Sequence, residues 1–390
     1  MTETPSPPVR IESIDVLRGL VIMLMLFVND LAGVGSAPAW LKHVSATADS
    51  MTIADLVFPA FLFVVGMAIP LALGRRLESG GHGFATVRHV LLRSVSLMFI
   101  GVLYASWPSD SVMGWPSGLW RLLIFVSVIF AWHVVPKLSG LKLNVSRAFR
   151  WTGIVALAYC MFSFRGAEGV WLRTGWWGIL GLIGWAYLIA VAVYAITRDN
   201  RFTLLGSMGL LFSLYVSVRE GAFQLPLVGG DTIGSLPAIV VAGIILGTVI
   251  RSSEIDSTEK IKWALLYALA LFSAGWLLRP LYGISKVHAT PGWCLWSAAF
   301  TTVGWAALYW LIDVKGVRRL FAVIGAAGRN ALFAYMLAAA TVTFFWAAGV
   351  PYGRLGEGTF AVGLARSISY TIVITLLSAW ADKKNLRLKL

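Results

Sequence analysis

Twelve long apolar runs follow one another along this sequence, and they constrain its fold more than any other feature. Each run is roughly 16 to 22 residues long, enough for a helix to cross most of the ~30 Å hydrocarbon core of a bilayer at about 1.5 Å per residue. The runs lie near 16–34, 52–73, 88–106, 117–135, 149–164, 176–197, 202–218, 232–250, 261–279, 293–312, 329–348 and 361–380. Only 13% of the residues are charged, whereas about a quarter are charged in soluble domains. We therefore predict an all-α polytopic membrane protein, a bundle of about 12 transmembrane helices with a range of about 10–12.

The lysines and arginines between the runs predict how the helices are oriented. About 21 of them fall on one side of the alternating chain and about 8 on the other, and the positive-inside rule makes the richer side cytoplasmic. Both termini are then cytoplasmic: a short tail, 1–15, precedes a single transmembrane domain, 16–380, and a basic tail, 381–390, follows it. The formal charge of +14 lies mainly in these loops, so it implies contact with membrane lipid and no nucleic-acid partner.

Polar residues interrupt the apolar pattern between the first two runs, in WLKHVSATADSMTIADLVFP at residues 40–59. An ionisable group inside a bilayer costs about 2.5 to 3.5 kcal/mol on insertion scales, so Asp55, one turn into the second run, is a candidate functional residue. The same aspartate completes the capping-box pattern Thr52-Ile-Ala-Asp55, so a purely structural role is an equal alternative. His43 is a candidate general base, because the Lys42 cation beside it favours a neutral imidazole and Asp49 or Asp55 could orient the ring. A solvated surface histidine is the alternative for His43.

Other polar side chains near helix ends have both structural and functional explanations. Asn29 ends the first run, and Arg121 lies just inside the fourth. The outer segment 279–292 contributes Lys286 and His288, a cationic group that could hold a phosphate or a carboxylate or could be interfacial. Asn330 is typical of an amide that joins two membrane helices.

Several familiar catalytic patterns are absent from the sequence. It contains no P-loop, no GxSxG and no HExxH sequence, and its two cysteines, Cys160 and Cys294, lie in apolar runs without metal-ligand or CxxC spacing. This argues against an ATPase, a serine hydrolase and a zinc protease, and we predict no metal site.

Several stretches together resemble a known family. SIDVLRG, FVN ending at Asn29, KH at 42–43 and TIADLVFPAFLFVVG at 52–66 resemble the membrane domain of the heparan-α-glucosaminide N-acetyltransferase family and its bacterial relatives. A weaker likeness continues through PSGLWRL, SLPAIVVAGIILG, KVHATPGWCLWS, DVKG and GRNALFAYM, so that it covers nearly the whole chain. The resemblance implies an acyltransferase that moves an acetyl group from cytoplasmic acetyl-CoA to an amino sugar or other glycan on the outer side. It also implies a protein of the bacterial inner membrane that lacks the luminal domain of the animal members.

The resemblance also assigns site residues. The family's catalytic histidine falls on His43, its helix-end asparagine on Asn29 and the aspartate of ADLVFP on Asp55. Four further residues are predicted to bind donor or acceptor: Lys286, Arg121, His288 and Asn330. Family members follow the histidine with Ala-x-Trp-x-Gly, whereas His43 is followed by VSATADSM, a longer segment without the tryptophan and glycine. The resemblance therefore supports acetyl transfer more strongly than it identifies the acceptor.

Two other functions fit part of the pattern. A secondary transporter of a small solute would suit twelve helices with both termini inside, and Pro59 and Pro70 in the second run could kink a helix that lines its path. A membrane scaffold would use the polar groups only for helix association. The oligomeric state stays open, a homo-oligomer included.

Overall fold

The computed structural model describes residues 11–78, 83–106, 108, 111–112, 114–134, 139–166, 169–172, 177–222 and 228–389. The first ten residues of the predicted tail 1–15, and residue 390 of the predicted tail 381–390, lie outside them. The described residues form thirteen α-helices: α1 Glu12–Leu31, α2 Ile53–Glu78, α3 Gly83–Ala105, α4 Ser117–Trp132, α5 Gly140–Ser163, α6 Gly178–Thr197, α7 Arg201–Arg219, α8 Leu236–Arg251, α9 Ser257–Tyr282, α10 Pro291–Leu308, α11 Ala322–Arg329, α12 Ala331–Ala347 and α13 Phe360–Lys383. Four two-residue strands form two antiparallel pairs, β1 Ser111–Val112 with β2 Trp115–Pro116, and β3 His133–Val134 with β4 Arg387–Leu388.

Each of the twelve apolar runs overlaps one of these helices, and several of the helices extend beyond the run. Within the described residues, eight helices are long and apolar enough to cross a membrane, or nine if α11 and α12 form one broken span. The remaining helices are shorter or carry more charge; α4, for example, has 16 residues. The protein is therefore an all-α polytopic integral membrane protein, while twelve crossings and the cytoplasmic position of both termini stay predictions.

α2 and α8 form the centre of the bundle because their backbones approach each other closely. Every residue of α8 from Leu236 to Ile250 is buried. A Cβ atom on Gly66 of α2 would overlap the carbonyl of Val240, and one on Gly243 would overlap the carbonyl of Phe63. Small residues permit such close approach between membrane helices, where burial from lipid alone gives little driving force for association.

α11 and α12 meet at Asn330 with a bend of 75°. Asn330 has φ −120° and ψ 36°, outside the helical region, so the helical hydrogen bonds are interrupted there. Gly328 and Gly19 bring α11 against α1, since a Cβ on Gly328 would meet the carbonyl of Asp15. The break therefore lies beside the first part of α1.

Hydrogen bonds between distant parts of the chain identify the two ends of the bundle. At the end where α1 begins, which we call the basic end, the backbone N–H groups of Glu12 and Ser13 donate to Asp313, which follows α10. At the other end, which we call the His43 end, Arg366 of α13 donates to Asp30 of α1. The loops that carry His43 and Lys286 meet at this second end.

Candidate active site

His43 and Asp55 form a hydrogen-bonded pair at the start of α2. Nδ1 of His43 lies 2.8 Å from Oδ1 of Asp55. The Asp55 side chain is 1% exposed and that of His43 is 37% exposed. An ionised carboxylate only accepts hydrogen bonds, so Nδ1 carries the hydrogen and Nε2 keeps a lone pair. The pair therefore presents Nε2 as a base or a nucleophile.

Asp55 also caps α2. Its Oδ2 accepts hydrogen bonds from the backbone N–H of Thr52 at 3.1 Å, from the Thr52 hydroxyl at 3.1 Å and from the backbone N–H of Val44 at 3.3 Å. One oxygen thus binds the helix start and the turn after His43, while the other binds the imidazole. The capping and orienting explanations of Asp55 are both met by the same side chain.

Lys286 supplies the cation beside the imidazole. Its Nζ lies 3.1 Å from Nδ1 and 3.2 Å from Nε2 of His43. Because the Nδ1 hydrogen points to Asp55, the ammonium group can donate to the Nε2 lone pair. Burial lowers the pKa of Lys286 from its usual value, and the charge of the Asp55 carboxylate opposes this shift. Lys42, the neighbour in sequence, instead donates to the carbonyl of Gly35 at 2.7 Å.

Asp49 holds the segment that carries Lys286. Its carboxylate accepts from Nε of Arg279 at 3.0 Å and from the backbone N–H of Ile284 at 2.7 Å. Its carbonyl accepts a further bond from Arg279 at 3.3 Å. Asp49 therefore joins the loop after His43 to the loop after α9. Of the two carboxylates that the sequence offered as partners of His43, Asp55 contacts the ring and Asp49 binds the neighbouring loop.

A cavity of about 480 Å³ runs along α2, and we call it the α2 cavity. Its wall on this helix is a stripe of apolar side chains: Phe58, Phe61, Val65, Ala68, Ile69, Ala72 and Leu73. From Phe58 to Leu73 the stripe follows about 22 Å of helix axis at about 1.5 Å per residue. Phe58, the lining residue of α2 nearest to the His43 end, is one helical turn from Asp55, while His43, Asp55 and Lys286 are not part of the lining.

The opposite end of the α2 cavity is rich in cationic side chains. These come from three helices, α1, α3 and α11, and from the segment after α13: Arg18, Arg93, Arg329 and Lys389, with His89 of α3 also in the lining. Arg329 forms an ion pair with Asp382, and its Nε donates to that carboxylate at 2.9 Å. Leu73, at the far end of α2, lines this part of the cavity. The mouth therefore lies at the basic end of the bundle and suits a polyanion.

A second cavity, of about 840 Å³, contains Asn29, and we call it the Asn29 cavity. Arg121 lines it too, from α4. Tyr335 lines both cavities and stacks on Tyr104, with ring centroids 5.3 Å apart. Both volumes lie within the range of about 300 to 1,000 Å³ that is usual for small-molecule sites. The two cavities thus adjoin at one aromatic pair.

An ionic network closes one side of the Asn29 cavity. Asp30 accepts hydrogen bonds from Arg366 at 3.0 Å, from the Tyr352 hydroxyl at 2.9 Å and from the Ser367 hydroxyl at 2.6 Å. The side chains of Asp30 and Arg366 are 4% and 8% exposed. Burial, together with the adjacent Asp30 carboxylate, raises the pKa of Tyr352. This network fixes the end of α1 that presents Asn29.

The structure brings some of the predicted site residues together and separates others. His43, Asp55 and Lys286 are in contact, whereas Asn29 and Arg121 lie in the neighbouring Asn29 cavity. His288 lines a smaller cavity of about 290 Å³ at the same end. These positions are geometry only, and the roles of the residues stay predictions.

Asn330 lines neither of the two larger cavities. It is 1% exposed, its Nδ2 donates to the carbonyl of Leu386 at 2.9 Å, and its Oδ1 accepts from the backbone N–H of Leu388 at 3.2 Å. Both ends of the amide are therefore used within the protein, which supports a positioning role rather than direct contact with substrate.

Sequence reasoning missed Tyr335 and the basic mouth of the α2 cavity. Tyr335 lies in the quoted stretch GRNALFAYM, but a tyrosine in an apolar helix gives no signal of its own. Arg18, Arg93 and Arg329 are each typical of snorkelling side chains at helix ends, and only the fold shows that they share a cavity. Among the described residues, no three His, Cys, Asp or Glu side chains are grouped so that they could hold a metal ion. The predicted absence of a metal from the reaction stays a prediction.

These observations define a class: a polytopic membrane protein with a histidine–carboxylate pair at one end and a cation-lined cavity that reaches toward it from the other. The chain belongs to the family described as "Domain of unknown function (DUF5009)", whose model matches residues 10–225. It is a relative of the heparan-alpha-glucosaminide N-acetyltransferases. It is 37% identical to the Homo sapiens protein of that name over 97 residues, which are 25% of this chain and 14% of that protein. It is 32% identical to the Mus musculus protein over 145 residues, 34% of this chain and 21% of that protein. Each match thus spans less than a quarter of the relative's length.

Proposed function

We propose that this protein is a transmembrane acyltransferase that takes an acetyl group from acetyl-CoA and transfers it to an amino sugar or other glycan acceptor at the His43 end. The observation that carries the proposal is the course of the α2 cavity. Its lining extends from the arginines of the basic end to Phe58, one helical turn from Asp55, which is hydrogen-bonded to His43. A thioester bound in this cavity would bring its acyl group across most of the membrane.

Acetyl-CoA fits the two ends of the α2 cavity. Its nucleotide carries a diphosphate and a 3′-phosphate, which suit the arginines of the basic mouth. Its long pantetheine arm suits a narrow channel whose wall on α2 is apolar. The positive-inside pattern favours a cytoplasmic basic end, on the side where acetyl-CoA is made, and an outer His43 end. This orientation agrees with a bacterial inner-membrane protein.

The reaction requires removal of one proton and stabilisation of one developing oxyanion. Nε2 of His43 accepts the proton of the acceptor amine or hydroxyl as its nitrogen or oxygen attacks the thioester carbonyl. The new C–N or C–O bond forms, the C–S bond breaks, and the CoA thiolate takes up a proton. In an alternative route, Nε2 attacks the thioester first and a transient acetyl-imidazole passes its acyl group to the acceptor. Both routes need the Nε2 lone pair that Asp55 preserves.

Lys286 and Asn29 would assist from different sides. The Lys286 ammonium lies 3.2 Å from Nε2, so an acceptor that approaches Nε2 would meet a cation beside the reacting carbonyl. The Asn29 amide, in the cavity that adjoins at Tyr335, is the proposed hydrogen-bond donor to the thioester oxygen. Arg121 would form a polar wall of the same cavity.

The comparisons favour an acyltransferase over a secondary transporter, because both curated relatives are named N-acetyltransferases. The test is release of free CoA by purified protein in liposomes, measured with a thiol reagent against a panel of amino sugars. We expect release that depends on an acceptor and is lost in His43→Ala. Ser207→Ala is the control, since Ser207 lies on α7 and donates to the carbonyl of Thr203 within its own helix. Absence of CoA release from wild type with every acceptor would refute the proposal.

A further inference from the structure

The residues after α13 form part of the wall of the α2 cavity. α13 ends at Lys383, and Asn385 has φ +58°, the left-handed conformation that reverses the chain. Residues 386–389 then run back across the basic end. We call residues 385–389 the strap.

The strap is held on both edges by hydrogen bonds. On one edge, β4 pairs with β3, and the backbone N–H of Lys389 donates to the carbonyl of Trp132 at 3.1 Å. On the other edge, the Asn330 amide donates to Leu386 and accepts from Leu388, as the backbone of a neighbouring strand would. An amide carries both a donor and an acceptor, and an aliphatic side chain of similar size carries neither. Asn330 therefore fixes the strap at the helix break.

The strap brings an apolar and a cationic side chain to the cavity. Leu388 is 9% exposed and packs in the main hydrophobic core, and both Leu388 and Lys389 line the α2 cavity. Asp382 accepts from Arg329 at the mouth and, at 2.6 Å, from Nε of Arg387 in the strap. The buried carboxylate of Asp382 therefore binds both an arginine of the mouth and an arginine of the strap.

We propose that the strap is part of the binding site for the phosphate-bearing end of the acyl donor. Lys389 contacts donor phosphate, Leu388 forms the floor, and Asn330 is a positioning residue that keeps both in place. This inference rests on the proposed function, since it takes the donor to be a CoA thioester. It explains why a buried amide lies at the break between α11 and α12 without lining the cavity itself.

The test compares two donors that differ in their phosphates. Acetyl-CoA and S-acetylpantetheine share the thioester arm, and only acetyl-CoA has the nucleotide. Binding of each to the purified full chain in lipid nanodiscs is measured by isothermal titration calorimetry. For Lys389→Ala we expect acetyl-CoA to bind about three- to tenfold more weakly, as for one charge-assisted contact near solvent, with no change for S-acetylpantetheine. Lys384→Ala, just before the strap and outside the cavity lining, is the matched control and should bind both as wild type does.

Asn330→Leu removes both amide bonds and should weaken acetyl-CoA binding at least as much, again without changing S-acetylpantetheine. If that variant does not fold, the comparison of acetyl-CoA binding by Lys389→Ala and Lys384→Ala still tests the inference. Equal acetyl-CoA affinity in these two variants would overturn the inference, and so would equal losses for both donors. Failure of wild type to bind either donor would refute the proposed function as well. Wild-type acetyl-CoA affinity in Lys389→Ala would refute only the role proposed for the strap.

Discussion

Replacing Asp55 by asparagine should abolish His43 as a base while leaving α2 capped. In the wild type, three donors converge on Oδ2 of Asp55, two of them backbone N–H groups. In Asp55→Asn the amide oxygen must take that position, because the NH₂ group cannot accept these bonds. The NH₂ group then faces Nδ1 of His43, which must become the acceptor. The imidazole hydrogen moves to Nε2, and the lone pair needed for either route is lost.

The magnitude follows from what a positioned base supplies. General base catalysis contributes about 10²- to 10⁴-fold, and each tenfold change in rate corresponds to about 1.36 kcal/mol of activation free energy. We therefore expect kcat/KM for acyl transfer to fall by about 10²- to 10⁴-fold, or about 2.7 to 5.4 kcal/mol. The amide oxygen of the new side chain can still accept the bonds from Thr52 and Val44, so the unfolding free energy should change by only about 1 kcal/mol.

The assay is acceptor-dependent CoA release, with thermal unfolding of the same preparations followed by tryptophan fluorescence. Asp256→Asn is the matched control, because Asp256 caps α9 through the backbone N–H of Glu259 with no histidine involved. The double variant Asp55→Asn/His43→Ala should be no slower than His43→Ala, since both changes remove the same base. A kcat/KM within about threefold of wild type for Asp55→Asn would refute the assignment of the Nε2 base.

Three further predictions test other parts of the account. Burial depresses the Lys286 pKa below its usual 10.5, so its ammonium form is lost as pH rises through that lowered value. The rate of transfer by wild type should therefore fall in this alkaline range, and the rate of Lys286→Arg should not. Superimposable pH profiles of the two proteins would contradict a charged role for Lys286. Asp49→Ala should release the loop that carries Lys286 and lower kcat/KM about tenfold with little change in thermal stability, and unchanged kinetics would show that this loop contact is not needed. Gly66→Ala should destabilise the protein by about 1 to 3 kcal/mol, because the new methyl group overlaps the Val240 carbonyl. Gly304→Ala is the control, since Gly304 has open space around it and should tolerate a methyl group. Equal unfolding temperatures for the two variants would contradict the close packing of α2 on α8.

The sequence predicted the helical class and the position of each apolar run because burial in lipid demands long apolar helices with internally satisfied backbones. It did not predict that the run near 329–348 is preceded by a second helix bent sharply at Asn330. That break depends on the close contact of Gly19 and Gly328 and on the strap, which are contacts between residues far apart in the chain. α5 likewise begins at Gly140, well before its apolar run, in a stretch rich in basic residues.

Within the site, the local part was easier to predict than the tertiary part. The spacing of His43 and Asp55 around one helix start suggested their pairing, and the structure has this contact. Lys286 was a candidate by charge alone, but its approach to His43 depends on the Asp49–Arg279 contact, which joins residues 230 positions apart. Asp49 and Asp55 were indistinguishable as partners of the histidine in sequence, because both carboxylates follow it within a short loop.

The most direct test of the central claim is transfer across a sealed membrane. Amino sugar is enclosed in proteoliposomes, acetyl-CoA is added only outside, and acetylated sugar in the lumen is measured by mass spectrometry for wild type and for His43→Ala. We expect wild type to acetylate the enclosed sugar and His43→Ala to yield none, since the α2 cavity would bring the acyl group to the His43 end from the basic end. Equal product from both proteins, or product only when sugar and acetyl-CoA are on the same side, would contradict the account.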